Sequence, residues 1–167
     1  TKNFNVKDLP QIVGLRYFNV YGPQENHKGR MASVIYHFYN QVIKEGKISV
    51  FEGSENFLRD FVWIGDAVDV NMYFWENAQE SGIYNCGSGK ARSFLKLAEL
   101  VQNQFPKSFI STIPFPTDLE GKYQKFTKAD LSNLRKAGYK KEFTSLEKGV
   151  EKYLNLLQKE SGFLPEI

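Results

Sequence analysis

The sequence predicts an α/β domain from three observations: short apolar runs closed by glycine or proline, amphipathic stretches between them, and the steady alternation of the two. With 167 residues, 41% of them hydrophobic, the chain is long enough to bury a core. It has no internal repeat, low-complexity segment or flexible linker, so one compact unit is expected, with room for two lobes.

Residues 11–17 (QIVGLRY) follow Leu9-Pro10 and read as a buried strand that feeds a turn-rich stretch from Asn19 to Pro23. Apolar residues then recur at Met31, Val34, Ile35, Phe38 and Val42, the spacing of an amphipathic helix that Gly46 can close. Residues 47–52 form a second strand, 53–56 a polar turn and 60–64 a third strand, followed by a helix over 66–78. Residues 81–86 give another strand closed by Gly87-Ser88-Gly89, and Ser93 is placed to cap a helix carrying Phe94, Leu97, Leu100 and Val101. Two helices end the chain. One opens at Thr127 and stops at Gly138, and the other opens at Thr144 with Glu147 three residues on, the spacing of a capping box.

Composition narrows the function classes. Twenty-two basic and nineteen acidic side chains are interspersed for a net +3, without the cationic stripe that nucleic acid requires. The single Cys86 makes no internal disulfide, and no Cys/His cluster suits zinc, so a reducing compartment is expected. No stretch reaches eighteen apolar residues, and residues 1–7 lack the pattern of a signal peptide. A soluble cytoplasmic protein without membrane or nucleic-acid partners is expected.

Functional side chains concentrate in two places. The loop over 18–30 carries Asn19, Tyr21, His27, Lys28 and Arg30 between a strand and a helix, where ligands of open α/β sheets bind; read blandly, it is a polar surface loop. The stretch 51–61 (FEGSENFLRDF) sets a Gly-Ser turn near Arg59. Backbone N–H groups and a guanidinium there could hold a diphosphate, or Arg59 could pair with Asp60 or Glu52 on a hairpin surface. The GSGK at residues 87–90 lacks the upstream glycine and the following Ser/Thr of a phosphate loop. His27 and His37 have no carboxylate or cysteine at ligand spacing, so no metal is expected.

In order and spacing, RYFNVYGP at 16–23, FEGS at 51–54, RDFVWIGDAVDV at 59–70 and the YNCGSG turn resemble the extended short-chain dehydrogenase/reductases. Within that group, NVYGPQENHKG, MAS, FEGSENF, PFP at 114–116 and GKYQKFTKADLSNLRKAGY are similar to the ADP-heptose 6-epimerases. The resemblance implies a C-terminal half: the last elements of a Rossmann-like doubly wound sheet at 1–23 and about 59–88, and mainly a smaller α/β substrate-binding lobe at about 24–58 and 89–167. The glycine fingerprint for the dinucleotide and the tyrosine-x-x-x-lysine motif would lie N-terminal to Thr1, so the fragment alone is expected to be inactive.

The resemblance further implies epimerisation at C6 of an ADP-heptose for lipopolysaccharide synthesis, by transient oxidation with NADP, in an enzyme that is a homo-oligomer at full length. Lys28 would be one proton-transfer residue, made partly neutral by burial. Asn19, His37, Phe51, Glu52, Gly53, Ser54, Arg59 and Tyr123 would contact the ADP-sugar, with Val20 at the nicotinamide end of the cofactor. Arg30 departs from the pattern, standing where a small serine is usual; it would meet phosphate or point to solvent. A 4-epimerase or dehydratase of UDP- or dTDP-sugars, and a non-catalytic sugar-nucleotide-binding module, remain as alternatives.

Overall fold

A computed structural model describes residues 10–78, 80–117, 121 and 123–160. Along them run β1 (Val13–Tyr17), β2 (Asn19–Tyr21), α1 (Val34–Glu45), β3 (Lys47–Phe51), β4 (Leu58–Trp63), α2 (Ile64–Glu76), β5 (Gly82–Cys86), β6 (Ala91–Ser93), α3 (Phe94–Gln104), β7 (Phe109–Ile113), α4 (Ser132–Lys136) and α5 (Leu146–Glu160). β1 pairs in parallel with β5, β2 with β4 and β3 with β7, while β6 adds antiparallel to the other edge of β4. Parallel returns need crossovers, and the helices between strands supply them.

Two apolar cores fix this arrangement. In the larger, Ile35, Phe38 and Val42 of α1, Leu97, Ala98 and Val101 of α3, and Val150, Tyr153 and Leu154 of α5 close over Ile48, Val50 and Phe61. The smaller joins Ala67, Val70 and Phe74 of α2 to Tyr84 and Cys86 of β5, with Leu134 and Tyr139 packed on from the C-terminal part. Tyr21 belongs to the larger core, so the chain crosses between cores right after β1.

Several expectations shift in detail. The helix after the loop starts at Val34 rather than near Met31, because the Ser33 hydroxyl accepts from the Tyr36 N–H and Met31 sits outside, 84% exposed. Gly46 does close that helix, in the left-handed conformation at φ 66°, which a Cβ would disfavour by about 1 kcal/mol. β2, β6 and β7 have no counterpart among the expected elements. The helix expected from Thr127 is only Ser132–Lys136: Phe126 bridges to Leu58, and the Thr127 N–H donates to the Leu58 carbonyl. At α5 the capping box is not formed. Thr144 instead holds Asp66, and the Ser145 hydroxyl accepts from the Lys148 N–H.

Candidate functional site

β2 ends at Tyr21, buried in the larger core; Gly22 and Pro23 are buried after it, and the chain first reaches solvent at Gln24. Asn19 is exposed and Val20 half-buried, opposite Phe61 and Val62 of β4. Beyond Pro23 the chain enters a 3-10 segment, Asn26–Met31, broken at Gly29, where φ is 53° and ψ −124°. Lys28 and Arg30 both face solvent, and the described residues do not provide the burial expected around Lys28. His37, one turn into α1, lies 3.4 Å from the Arg30 carbonyl through Nε2, so three of the candidates share one corner.

A carboxylate passed over in the sequence anchors this loop. Glu25 is 2% exposed; its Oε1 accepts from the Ser33 hydroxyl at 2.5 Å and the Tyr153 hydroxyl at 2.7 Å, and its Oε2 accepts from the Ser33 N–H at 2.8 Å. Burial foremost, and then the Glu25 hydrogen bond, push the Tyr153 phenol far above its usual range. Nothing local in the sequence signals this node, because its partners are 8 and 128 residues away.

The second corner is aromatic. Phe57 meets Tyr123 and Phe115 with ring centroids 5.1 Å apart in each case, and Phe115 reaches Phe51 at 5.6 Å. The Arg59 guanidinium lies 4.9 Å from the Tyr123 ring centroid and 5.8 Å from that of Phe94. Arg59 is buried and donates to the carbonyls of Leu58 and Gln124; among the described residues it forms no ion pair, with Asp60, Glu52 or any other carboxylate. Phe51 and Arg59 of one stretch therefore converge with Tyr123, more than sixty residues further on.

The turn between them differs from the expected amide cradle. The N–H groups of Glu52, Ser54 and Asn56 donate to the carbonyls of Ile113, Phe51 and Gly53, and Ser54 is buried, so these amides shape the turn itself. Asp60 faces away from Arg59. Its fully buried carboxylate accepts from the N–H groups of Ser88, Gly89 and Ala129 and from the Ser88 hydroxyl, at 2.6–2.9 Å. The GSGK amides are thus engaged by an internal anion and form no phosphate cradle. From the sequence Asp60 stood out only as a pairing partner for Arg59, and Phe115 only as part of the PFP stretch.

A crevice of about 550 Å³ beside α2, lined by Trp63, Asp66, Asp69, Lys141, Lys148 and Lys152 among others, holds none of the candidate residues. The candidate side chains gather instead at the two corners: an exposed ammonium on an anchored loop, and a guanidinium set among aromatic rings. Such a set can move a proton and hold a phosphorylated, ring-bearing ligand. No group of three or more His, Cys, Asp or Glu among the described residues could hold a metal ion, and none of their helices is long and apolar enough to cross a membrane.

The model of the NAD dependent epimerase/dehydratase family matches residues 3–87, just over half of the chain. The chain belongs to this family. Among epimerases, an ADP-L-glycero-D-manno-heptose-6-epimerase of Brachyspira hyodysenteriae (strain ATCC 49526 / WA1) is 55% identical over 154 residues, 92% of this chain and 48% of that protein. The crystal structure of the Helicobacter pylori ADP-L-glycero-D-manno-heptose-6-epimerase matches with a TM-score of 0.77 at 32% identity, over 88% of this chain and 44% of that one. The UDP-N-acetylglucosamine 4-epimerase of Methanobrevibacter ruminantium M1 matches at 0.75 with 22% identity, over 89% and 46%, a likeness of fold. The chain spans about half the length of the curated relatives it matches.

For this member of the epimerase/dehydratase family, the described residues give a nicotinamide dinucleotide little beyond one apolar side chain. Half-buried Val20, on a strand parallel to β4, offers an apolar wall of the kind a nicotinamide ring packs on. For the pyrophosphate they offer no comparable place, since the one Gly-Ser-Gly turn is closed on Asp60.

Proposed function

We propose that the protein carrying this chain inverts C6 of ADP-D-glycero-D-manno-heptose, giving the L-glycero form, with NADP as its cofactor. The observation that carries the reading is the 55% identity to the Brachyspira epimerase over 92% of the chain. The cofactor, when bound, supplies the removal and return of hydride at C6. The chain's own residues bind and orient the sugar nucleotide and move a proton.

Lys28 Nζ exchanges a proton with the C6 oxygen, from the side opposite a tyrosine supplied by the rest of the protein. Asn19, His37 and the turn of Phe51, Glu52, Gly53 and Ser54 contact the ADP-heptose, and Arg30 meets phosphate from the Lys28 side of the loop. Arg59 and Tyr123 hold the nucleotide end. A guanidinium has five N–H donors, and the two that Arg59 gives to carbonyls leave others for phosphate oxygens. Val20 lines the nicotinamide. The same reading makes the enzyme a cytoplasmic homo-oligomer serving lipopolysaccharide synthesis, and residues 1–167 alone inactive.

The test is to incubate the full-length protein with ADP-D-glycero-D-manno-heptose and follow the C6 configuration by NMR, with UDP- and dTDP-sugars as competitors. Inversion at C6 that the competitors leave unaffected supports the reading. Inversion or dehydration of a UDP- or dTDP-sugar, with the ADP-heptose untouched, assigns the protein to another reaction of the family. Binding of ADP-sugar by the full-length protein without turnover of any of them favours a binding module.

A further inference from the structure

We infer that Glu25 is the positioning residue for Lys28, standing at the first end of the Lys28 loop and holding the second end, at Ser33, on its buried carboxylate; the inference rests on the proton-transfer role proposed for Lys28. The segment Asn26–Met31 buries none of its residues and is kinked at Gly29, so burial does little to fix Lys28 within it. Its ends carry most of the hold. At the first end, the Glu25 carbonyl accepts from the Lys28 N–H at 3.0 Å. At the second, the Glu25 carboxylate takes both the N–H and the hydroxyl of Ser33, the residue that caps α1.

The third donor makes the node rigid relative to the rest of the molecule. Tyr153 is wholly buried in α5, its ring 6.4 Å from that of Trp63, and its hydroxyl points at Glu25 Oε1. The loop is therefore referenced to α1, α5 and the end of β4 at once. A buried carboxylate is a poor choice if stability is all that is wanted, because an apolar side chain of similar size packs there at no desolvation cost. Its use here follows from geometry. Three donors converge from different elements, and only an acceptor with two oxygens and no N–H satisfies them together. A glutamine would turn its amide toward one donor, leave that bond unmade and loosen the loop.

A displacement of about 1 Å at a proton-transfer group can cost on the order of a hundredfold in rate, while Arg59 and Tyr123, which are proposed to hold the nucleotide end and so to set most of the affinity, lie outside this loop. In the full-length protein, Glu25→Gln and the milder Tyr153→Phe should each lower kcat for C6 inversion by on the order of tenfold or more and leave KM within about twofold. The decisive comparison repeats both substitutions in a Lys28→Ala background. If Glu25 acts through Lys28, neither lowers the residual rate further.

The same proportional loss in both backgrounds would mean that Glu25 supports the fold generally, and would overturn the inference, as would an undiminished kcat in both single variants. If Glu25→Gln fails to fold, Tyr153→Phe, which keeps its ring packing, carries the comparison alone. Full activity in Lys28→Ala itself removes the role of Lys28, and this inference with it, and is read separately from the Glu25 result.

Discussion

Arg59 shows how far one side chain's role depends on what surrounds it. A lysine at this position would keep the charge but lose the guanidinium's contact with the face of Tyr123 and the fork that reaches two carbonyls while keeping donors for phosphate. Arg59→Lys should therefore raise KM for the ADP-sugar on the order of tenfold, the worth of about one charge-assisted hydrogen bond, with kcat less affected. Steady-state kinetics of the full-length protein check this, and an unchanged KM would place the nucleotide elsewhere. Cys86 is set by its surroundings as well. Burial, and then the charges of Asp66 and Asp60, push its thiol from 9.0 up to about 12. Between those values the unfolded chain has lost the proton while the folded chain keeps it, so this contribution is whole below pH 9 and is lost as pH rises toward 12. Tyr139, pushed by burial and the charges of Asp69 and Asp66 up to about 12, adds a loss of the same sign from pH 10 upward. Urea midpoints measured from pH 8 to 11 should fall, and fall less steeply in Cys86→Ala; equal slopes would mean the thiol does not contribute.

Among the elements, α5 separates what local sequence decides from what tertiary contacts override. Its apolar stripe, Leu146, Val150, Leu154 and Leu157, is legible in the sequence, and all four are buried as the period requires. Its start is not, because Thr144 is drawn away to Asp66 and Glu147 to Arg92, leaving Ser145 to receive the Lys148 N–H. The helix expected from Thr127 fails for a similar reason: the partner of that segment is the edge of β4, some seventy residues away. β2 and β6, of three residues each, are too short for any period to show. Gly149 illustrates the same contest within α5. By propensity alone, alanine there would be better by about 1 kcal/mol. A Cβ at this position, however, would stand 1.9 Å from the Tyr21 hydroxyl, which is buried with no hydrogen-bond partner among the described residues. Gly149→Ala should thus destabilise by about 1–3 kcal/mol through overpacking, and Tyr21→Phe should recover part of the loss. Thermal melts of the two single variants and the double test it, and a higher melting temperature for Gly149→Ala alone would show that the helix yields without strain.

Across the whole molecule, the sequence conveyed the α/β class and the order of most elements, because apolar periodicity and glycine stops are local signals. It conveyed the candidate residues as two separate clusters. What brings Phe51, Arg59 and Tyr123 together, and ties Lys28 to α5, is contact between distant positions, which no window of sequence contains. One whole-molecule feature is apolar surface left uncovered. On α2, Val68, Met72 and Trp75 are 52%, 48% and 81% exposed and fall at the i, i+4, i+7 spacing of a single stripe. Ile12 of the segment before β1, at 71%, and Ile83 of β5, at 62%, are uncovered too. A helix whose buried stripe already packs on β5 does not need a second apolar stripe facing water, and apolar exposure of this kind drives association. The polypeptide of residues 1–167 should therefore self-associate in sedimentation velocity, more strongly as salt rises, since burial of apolar surface is not screened. Replacing Met72 and Trp75 together by lysine should return it to monomer with little loss of thermal stability, because both side chains are largely outside the cores. A monomeric parent polypeptide would show that the stripe is tolerated in water; a variant that still associates would move the sticky surface off α2.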